Sequence, residues 1–165
     1  VEIFPDYYEA IERLGIEYVK LRHYQAAEIL LYRATQINPR AYQSWYGLAY
    51  ARYSQNKTNE ALEAVQKAVA LNQISVEALL LEGVLHRKAK SYKQAEKQLK
   101  KAEDLAKGAV ADVHWQLALL YGNNLQRYRE AADQLELFLK APPDNKNTEN
   151  IKKLIKQFRE KAANK

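Results

Sequence analysis

The chain of 165 residues contains no cysteine and no methionine, and it has only four prolines and five glycines. Without cysteine there is no disulfide framework, no thiolate nucleophile and no thiolate metal site. The scarcity of helix-breaking residues is typical of a mostly helical protein. No apolar run approaches the roughly 18 residues that a membrane-spanning helix needs. The sequence therefore predicts a helical domain with no transmembrane segment.

Methionine is missing even at position 1, and residues 1–10 lack the basic and apolar regions of a signal peptide. We interpret the chain as a processed protein or as a segment of a longer one, and its compartment stays open. Charged residues make up 28% of the chain and the mean hydropathy is -0.57. These values are typical of a soluble domain, and the length allows a sizeable core.

The net charge of +6 is unevenly distributed. Residues 86–107 carry eight Lys and Arg against three acids, and residues 146–165 carry seven against two. Such segments could attract acidic partners. We expect solvated helix faces instead, because lysine is common on exposed helices. Nucleic-acid binding is not expected, because the aromatic residues of the chain do not alternate with these lysines in the way that single-strand binding requires.

Small residues recur with a period of 34 residues, which indicates helices that approach closely at fixed intervals. The series are Ala27, Ala61 and Ala95; Ala34, Ala68 and Ala102; and Gly15, Ala49 and Gly83. Apolar residues with i, i+3, i+4, i+7 spacing, such as Ile11, Leu14, Gly15 and Tyr18, predict two helices per unit. A polar turn at Arg22–His23 separates the first two helices, and Asn38–Pro39 ends the second.

These units resemble the tetratricopeptide repeat, a family of tandem helix–turn–helix motifs. Four units are expected, over residues 8–41, 42–75, 76–109 and 111–144. The first carries the fullest set of matches, namely Leu14, Gly15, Tyr18, Tyr24, Ala27, Leu31, Ala34 and Pro39. The later units depart from the pattern at Arg52, Gln73, Glu82, His86 and Phe138. The fourth has one extra residue near Gly122 and ends at Pro143.

The resemblance implies an all-α fold, a right-handed superhelical solenoid of four repeats over residues 1–145. An unrelated helical bundle is the alternative. Residues 146–165 then form a capping helix, because Ile151, Leu154, Ile155 and Phe158 make one apolar stripe and a solenoid needs an end with one polar face. The alternative for this basic segment is an amphipathic helix that binds a membrane surface or a partner.

The segment Tyr42–Tyr53 contains five aromatic residues. The resemblance places Trp45 in the core and implies that the first helix of each unit lines a concave groove for a peptide or helix. The candidate groove residues are Ile16, Val19, Lys20, Tyr46, Tyr50, Tyr53, Leu80, Val84, Arg87, Trp115, Leu119 and Asn123, with Lys88 and Gln116 as further polar contacts. Superhelix curvature that buries these residues between units is the alternative.

Some family members clamp the carboxylate end of chaperone tails with basic and amide side chains. The matching positions here hold Glu12, Ile16, Gly47, Glu77 and Leu81, none of which is basic. We therefore do not expect this clamp.

Catalytic and cofactor motifs are absent from the sequence, which has no glycine-rich phosphate loop. His23, His86 and His114 lie in separate units without metal-ligand spacing, so we expect them in turns or on helix surfaces. The prediction is a non-enzymatic scaffold or adaptor with no cofactor or metal, which binds a protein or peptide ligand. The alternative is a homo-oligomer that self-associates through the groove or the C-terminal helix.

Overall fold

The computed structural model describes residues 5–141 and 147–164, with side chains from residue 7 onward. Within these ranges the backbone forms nine α-helices and one π-helical segment. They are α1 (Pro5–Lys20), α2 (Tyr24–Ile37), α3 (Tyr42–Ser54), α4 (Thr58–Leu71), α5 (Val76–Lys88), α6 (Tyr92–Ala106), α7 (Ala111–Leu119), the π-helical segment (Leu120–Asn124), α8 (Tyr128–Lys140) and α9 (Thr148–Ala163).

Consecutive helices pack as the pairs α1/α2, α3/α4, α5/α6 and α7/α8, and each pair stacks on the next. The result is the expected right-handed superhelical solenoid, with α9 packed against α8. Pro143, the predicted end of the fourth unit, lies outside the described residues. The turn between the two helices of each pair contains one residue with left-handed backbone geometry. These residues are Arg22, Asn56, Lys90 and Gln126.

The two helices of a pair approach at the small-residue positions. A Cβ atom on Gly15 would lie 2.7 Å from Cγ of Leu31, and one on Gly83 would lie 2.6 Å from Cγ of Leu99. The second pair uses Ala49 and Val65 at the equivalent positions, and both are fully buried. In these three pairs, a larger residue on one helix is therefore matched by a smaller one on the other, as a close-packed core requires.

The core consists of two clusters that meet at α5. The first extends from α1 to α5, and the second extends from α5 to α9. Helix α5 contributes to both, because Leu81 and Leu85 belong to the first cluster while Leu79 belongs to the second. Among the described residues, the eight largest fully buried side chains are all leucine, at positions 31, 48, 79, 85, 99, 117, 120 and 135.

The extra residue of the fourth unit is accommodated by the π-helical segment. Its wider turn is closed by a hydrogen bond of 3.0 Å from the Leu125 N–H to the Leu120 carbonyl. Gly122 lies in this segment because a Cβ there would come within 2.5 Å of Cζ of Phe158. Phe158 is buried and stacks on Tyr128 with 5.9 Å between ring centroids. The apolar stripe of α9 thus covers the end of the fourth pair, as expected of a cap.

Leu14 and Trp45 are less buried than the sequence predicts. Leu14 is 46% exposed, whereas its equivalents Leu48 and Leu117 are buried, because only these later repeats have a preceding helix pair packed against them. Trp45 is only partly buried, and its indole N–H donates to the Pro39 carbonyl at 2.9 Å.

The expectation that the histidines lie in turns or on helix surfaces is correct for His23 and wrong for His86 and His114. His114 can be buried because its Nδ1 atom forms a hydrogen bond of 2.8 Å with Oε1 of Gln134 in the core. His86 is largely buried and its Nε2 lies 3.6 Å from Oε1 of Glu82.

Glu82 occupies a position where the other three repeats have leucine, and it is only 4% exposed. Among the described residues, neither Oε2 of Glu82 nor Nδ1 of His86 has a hydrogen-bond partner. Burial raises the pKa of the Glu82 carboxyl, and the nearby His86 only partly opposes this. The desolvation cost of the charged Glu82 carboxylate in this core therefore exceeds the electrostatic stabilisation that its neighbours provide.

The match between Gly83 and Leu99 can be tested with a double-mutant cycle. Gly83→Ala should lower the free energy of unfolding by about 1–2 kcal/mol, because overpacking outweighs the better helix propensity of alanine. Gly83→Ala combined with Leu99→Val recreates the Ala49/Val65 pair and should recover most of the loss. Urea denaturation measures both. Additive effects of the two substitutions would contradict this account.

Glu82 should make stability depend on pH. The folded chain holds the Glu82 proton to a higher pH than the unfolded chain does. Stability is therefore lost as pH rises from about 4.3, the ordinary glutamate value, through the raised folded pKa. Glu82→Leu should raise the free energy of unfolding at pH 8 by about 1–3 kcal/mol and should raise it less at pH 5. Glu63→Leu, at an exposed position of α4, is the control and should change stability by less than about 0.5 kcal/mol.

Candidate binding groove

The first helices of the pairs form one face of the solenoid, on which α1 contacts α3 and α3 contacts α5. Two neighbouring cavities on this face share side chains of α3. The smaller, of about 210 Å³, is lined by Ile16, Val19, Gln43, Tyr46, Gly47 and Tyr50. The larger, of about 430 Å³, is lined by Tyr46, Tyr50, Tyr53, Glu77, Leu80, Leu81, Val84, Val110, Asp112 and Gln116. Because Tyr46 and Tyr50 line both, the cavities adjoin, and together we name them the tyrosine groove.

The tyrosines of α3 follow one face of the helix, because Tyr46, Tyr50 and Tyr53 have i, i+4, i+7 spacing. Tyr46 is stacked on Tyr42, with ring centroids 5.9 Å apart and planes within 9° of parallel. The ring centroid of Tyr50 lies 6.2 Å from that of Tyr53 and 6.4 Å from that of Tyr24. Tyr50 is still 37% exposed. The rings support one another and leave area open to solvent at the centre of the groove.

Most of the candidate residues from the sequence line the groove, namely Ile16, Val19, Tyr46, Tyr50, Tyr53, Leu80, Val84 and Gln116. Arg87 lies beside it and donates from Nη2 to Gln116 Oε1 at 3.0 Å. The others do not line either cavity. Lys20 is exposed and pairs with Glu17, Trp115 packs against Phe138 of α8, Leu119 ends α7, and Asn123 lies in the π-helical segment.

Sequence reasoning missed Gln43, Val110 and Asp112 as groove residues. It considered Gly47, Glu77 and Leu81 only as positions of a carboxylate clamp. Glu77 and Asp112 lie in the first turns of α5 and α7. Acids are common there because they complement the helix dipole. Their residue type therefore gave no sign that they also face a cavity.

The groove has opposite charges at its two ends. Glu77 and Asp112 supply the carboxylates at the helix N-termini. At the other end, Lys88 places Nζ 4.6 Å from the centroid of the Tyr53 ring. Burial raises the pKa of Tyr46 to about 12, and the nearby Tyr42 and Glu77 act in the same direction. The Tyr46 phenol therefore stays protonated and neutral throughout the physiological range.

The chain's own C-terminal helix does not occupy the groove, because α9 packs on α8 and against Gly122. Within residues 5–141 and 147–164 there is no cluster of three His, Cys, Asp or Glu that could hold a metal ion. No helix of the described part is long and apolar enough to cross a bilayer. The side chains that line the groove are aromatic, aliphatic, amide and carboxylate groups.

A tetratricopeptide repeat family model matches residues 12–73 and again residues 46–110. The chain belongs to the tetratricopeptide repeat family. A TPR repeat-containing protein of Methanocaldococcus jannaschii is 32% identical over 113 residues, which cover 68% of this chain and 18% of that relative. The chain therefore spans less than a fifth of the relative's length.

Solved tetratricopeptide-type structures share the fold at low sequence identity. MamA superposes with a TM-score of 0.80 and 19% identity, covering 94% of this chain and 82% of MamA. A thermophilic TPR protein of Thermus thermophilus gives 0.70 and 23%, covering 92% and 80%. PilF of Pseudomonas aeruginosa gives 0.77 and 21%, covering 95% and 69%. This fold supports a protein-interaction module in general.

Proposed function

We propose that the chain is a scaffold or adaptor segment that holds a peptide or helix of a partner protein in the tyrosine groove. The observation that carries this proposal is the pair of adjoining cavities built around Tyr46 and Tyr50. In this proposal the repeats over residues 1–145 form the binding domain, and residues 146–165 cap it.

Tyrosine suits this role for energetic reasons. A tyrosine buries a large area while freezing only two side-chain torsions, and its hydroxyl offers one polar contact. Tyr50 combines exposure with support from Tyr24 and Tyr53, so a ligand meets a surface whose shape is already set. Gln43 and Gln116 at the edges can hydrogen-bond the backbone of an extended segment.

Tyr50→Ala should weaken partner binding by more than about 1 kcal/mol, because the ring lies at the centre of the proposed contact. Its exposure predicts that the fold survives, which circular dichroism can check. The matched control is Tyr32→Ala, since Tyr32 is 50% exposed on α2 and lines neither cavity of the groove. The measurement is capture from a lysate of the source cells, followed by titration with the purified partner.

A partner lost with Tyr46→Ala/Tyr50→Ala and kept with Tyr32→Ala would support the groove. A partner kept by all folded variants would contradict the proposal and direct attention to the basic segments or α9. Loss of helicity in the Tyr50→Ala protein would show instead that these rings are structural.

Self-association is the second candidate, and exposed apolar residues on the first helix pair favour it. Leu14, Leu21 and Ile29 are all exposed there. Since α9 is packed on its own chain, the contact would use this pair or the groove. Light scattering over a range of protein concentrations tests it. A mass that rises with concentration and falls with Tyr46→Ala/Tyr50→Ala would place the groove in the self-contact.

A further inference from the structure

The larger cavity of the tyrosine groove carries charge of only one sign among the residues that the structure describes. Glu77 and Asp112 are its charged lining residues, although the chain has a net charge of +6. Both side chains are exposed, and they come from neighbouring first helices, α5 and α7. The two acids thus border the cavity on one side, and Lys88 and Arg87 border it at Tyr53 and Gln116 on the other.

These two carboxylates retain binding capacity. Glu77 accepts one hydrogen bond, from Ser75 Oγ at 3.0 Å, and it makes no ion pair with any residue that the structure describes. Asp112 likewise has no ion pair within residues 5–141 and 147–164. Two acids of α1 differ, because Glu17 pairs with Lys20 and Glu12 accepts hydrogen bonds from Tyr8 and Ser44.

The walls of the cavity also suit a cation. Tyr46, Tyr50 and Tyr53 line it, and a ring face attracts a positive group within about 6 Å of its centroid. Tyr53 already does so with Lys88 at 4.6 Å. One face of Tyr46 is covered by Tyr42, and Tyr50 is partly exposed. The remaining ring area lies next to two carboxylates that have no ion-pair partner in the described part of the chain.

We propose that this cavity receives a lysine or arginine side chain of the partner segment, held by Glu77 and Asp112 and packed against Tyr46 and Tyr50. The inference rests on the proposed function, since it names the chemistry of the ligand for the same groove. The cavity of about 430 Å³ has room for the aliphatic stem along Leu80 and Val84.

The opposite end of the groove sets the direction of the ligand. Lys88 and Arg87 lie there, and Arg87 donates a hydrogen bond to Gln116, which lines the cavity. A second basic residue would be repelled at this end, whereas an acidic residue or a backbone carbonyl would be accepted. The partner segment therefore presents its basic side chain toward the N-termini of α5 and α7.

The first test uses a displayed library of random linear peptides, selected on the wild-type protein. We expect the peptides that depend on Tyr50 to be enriched in Lys or Arg next to an apolar residue. Enrichment in Asp and Glu, or no charge preference, would overturn the inference while leaving the proposed function intact. If no selected peptide depends on Tyr50, the proposed function fails and the inference fails with it.

The second test measures one such peptide by fluorescence polarisation against Glu77→Gln/Asp112→Asn. This isosteric change removes both charges and should weaken binding by about tenfold, because the bonds lost are charge-assisted. The matched control is Glu63→Gln/Asp104→Asn, which removes the same charge from exposed positions on α4 and α6. It should change affinity by less than about twofold, since exposed charges outside the site contribute little. Equal weakening by both variants would show that only net charge matters and would overturn the proposal.

Discussion

The geometry of each helix pair depends on one close contact, in which a glycine or alanine of the first helix faces a leucine or valine of the second. At Gly15 and Gly83 there is no room for a methyl group, because the leucine fills the space. This contact fixes the distance between the two helices of the pair. The pair then presents its first helix to the concave face, so the spacing of Tyr46, Leu80 and their neighbours in the groove depends on it.

The contacts between pairs are less uniform than those within them. Glu28 of α2 accepts hydrogen bonds from Arg52, Gln55 and Lys57 of the second unit, the shortest being 2.6 Å. Glu96 of α6 likewise accepts a hydrogen bond from the unit that follows, because Arg127 of the fourth unit donates to it at 2.7 Å. Between the second and third units the equivalent position is Leu62, which is apolar. At this position the junctions between units thus alternate between a charged residue and an apolar one.

The helix pairs and their close contacts could be predicted from the sequence, because small residues and apolar spacing repeat along the chain. The cap could be predicted from the stripe ending in Phe158. Residues whose surroundings are set by a distant element could not be. His114 is buried because Gln134 and Glu103 of other helices satisfy it, at 2.8 Å and 3.5 Å from its Nδ1 atom. Leu14 matches the repeat pattern but lacks the preceding helix pair that covers Leu48 and Leu117.

In the groove, too, features set by local spacing could be predicted, and features set by distant helices could not. The spacing of the tyrosines on α3 was enough to place them on one helix face. Whether that face also held charge depended on which first turns converge there, and Asp112 comes from α7, two repeats further along the chain. Trp115 was expected beside the tyrosines but turns toward Phe138, because the fourth unit has a large ring where the others have alanine.

The division of the core into two clusters has a consequence for spectroscopy. The chain has two tryptophans, and each belongs to a different cluster, Trp45 to the first and Trp115 to the second. Their fluorescence therefore reports separately on the two halves of the solenoid. In a protein whose repeats contact only their neighbours, the halves need not melt together. A chain with a single indole left in place would show whether α5, shared by both clusters, joins them into one cooperative unit.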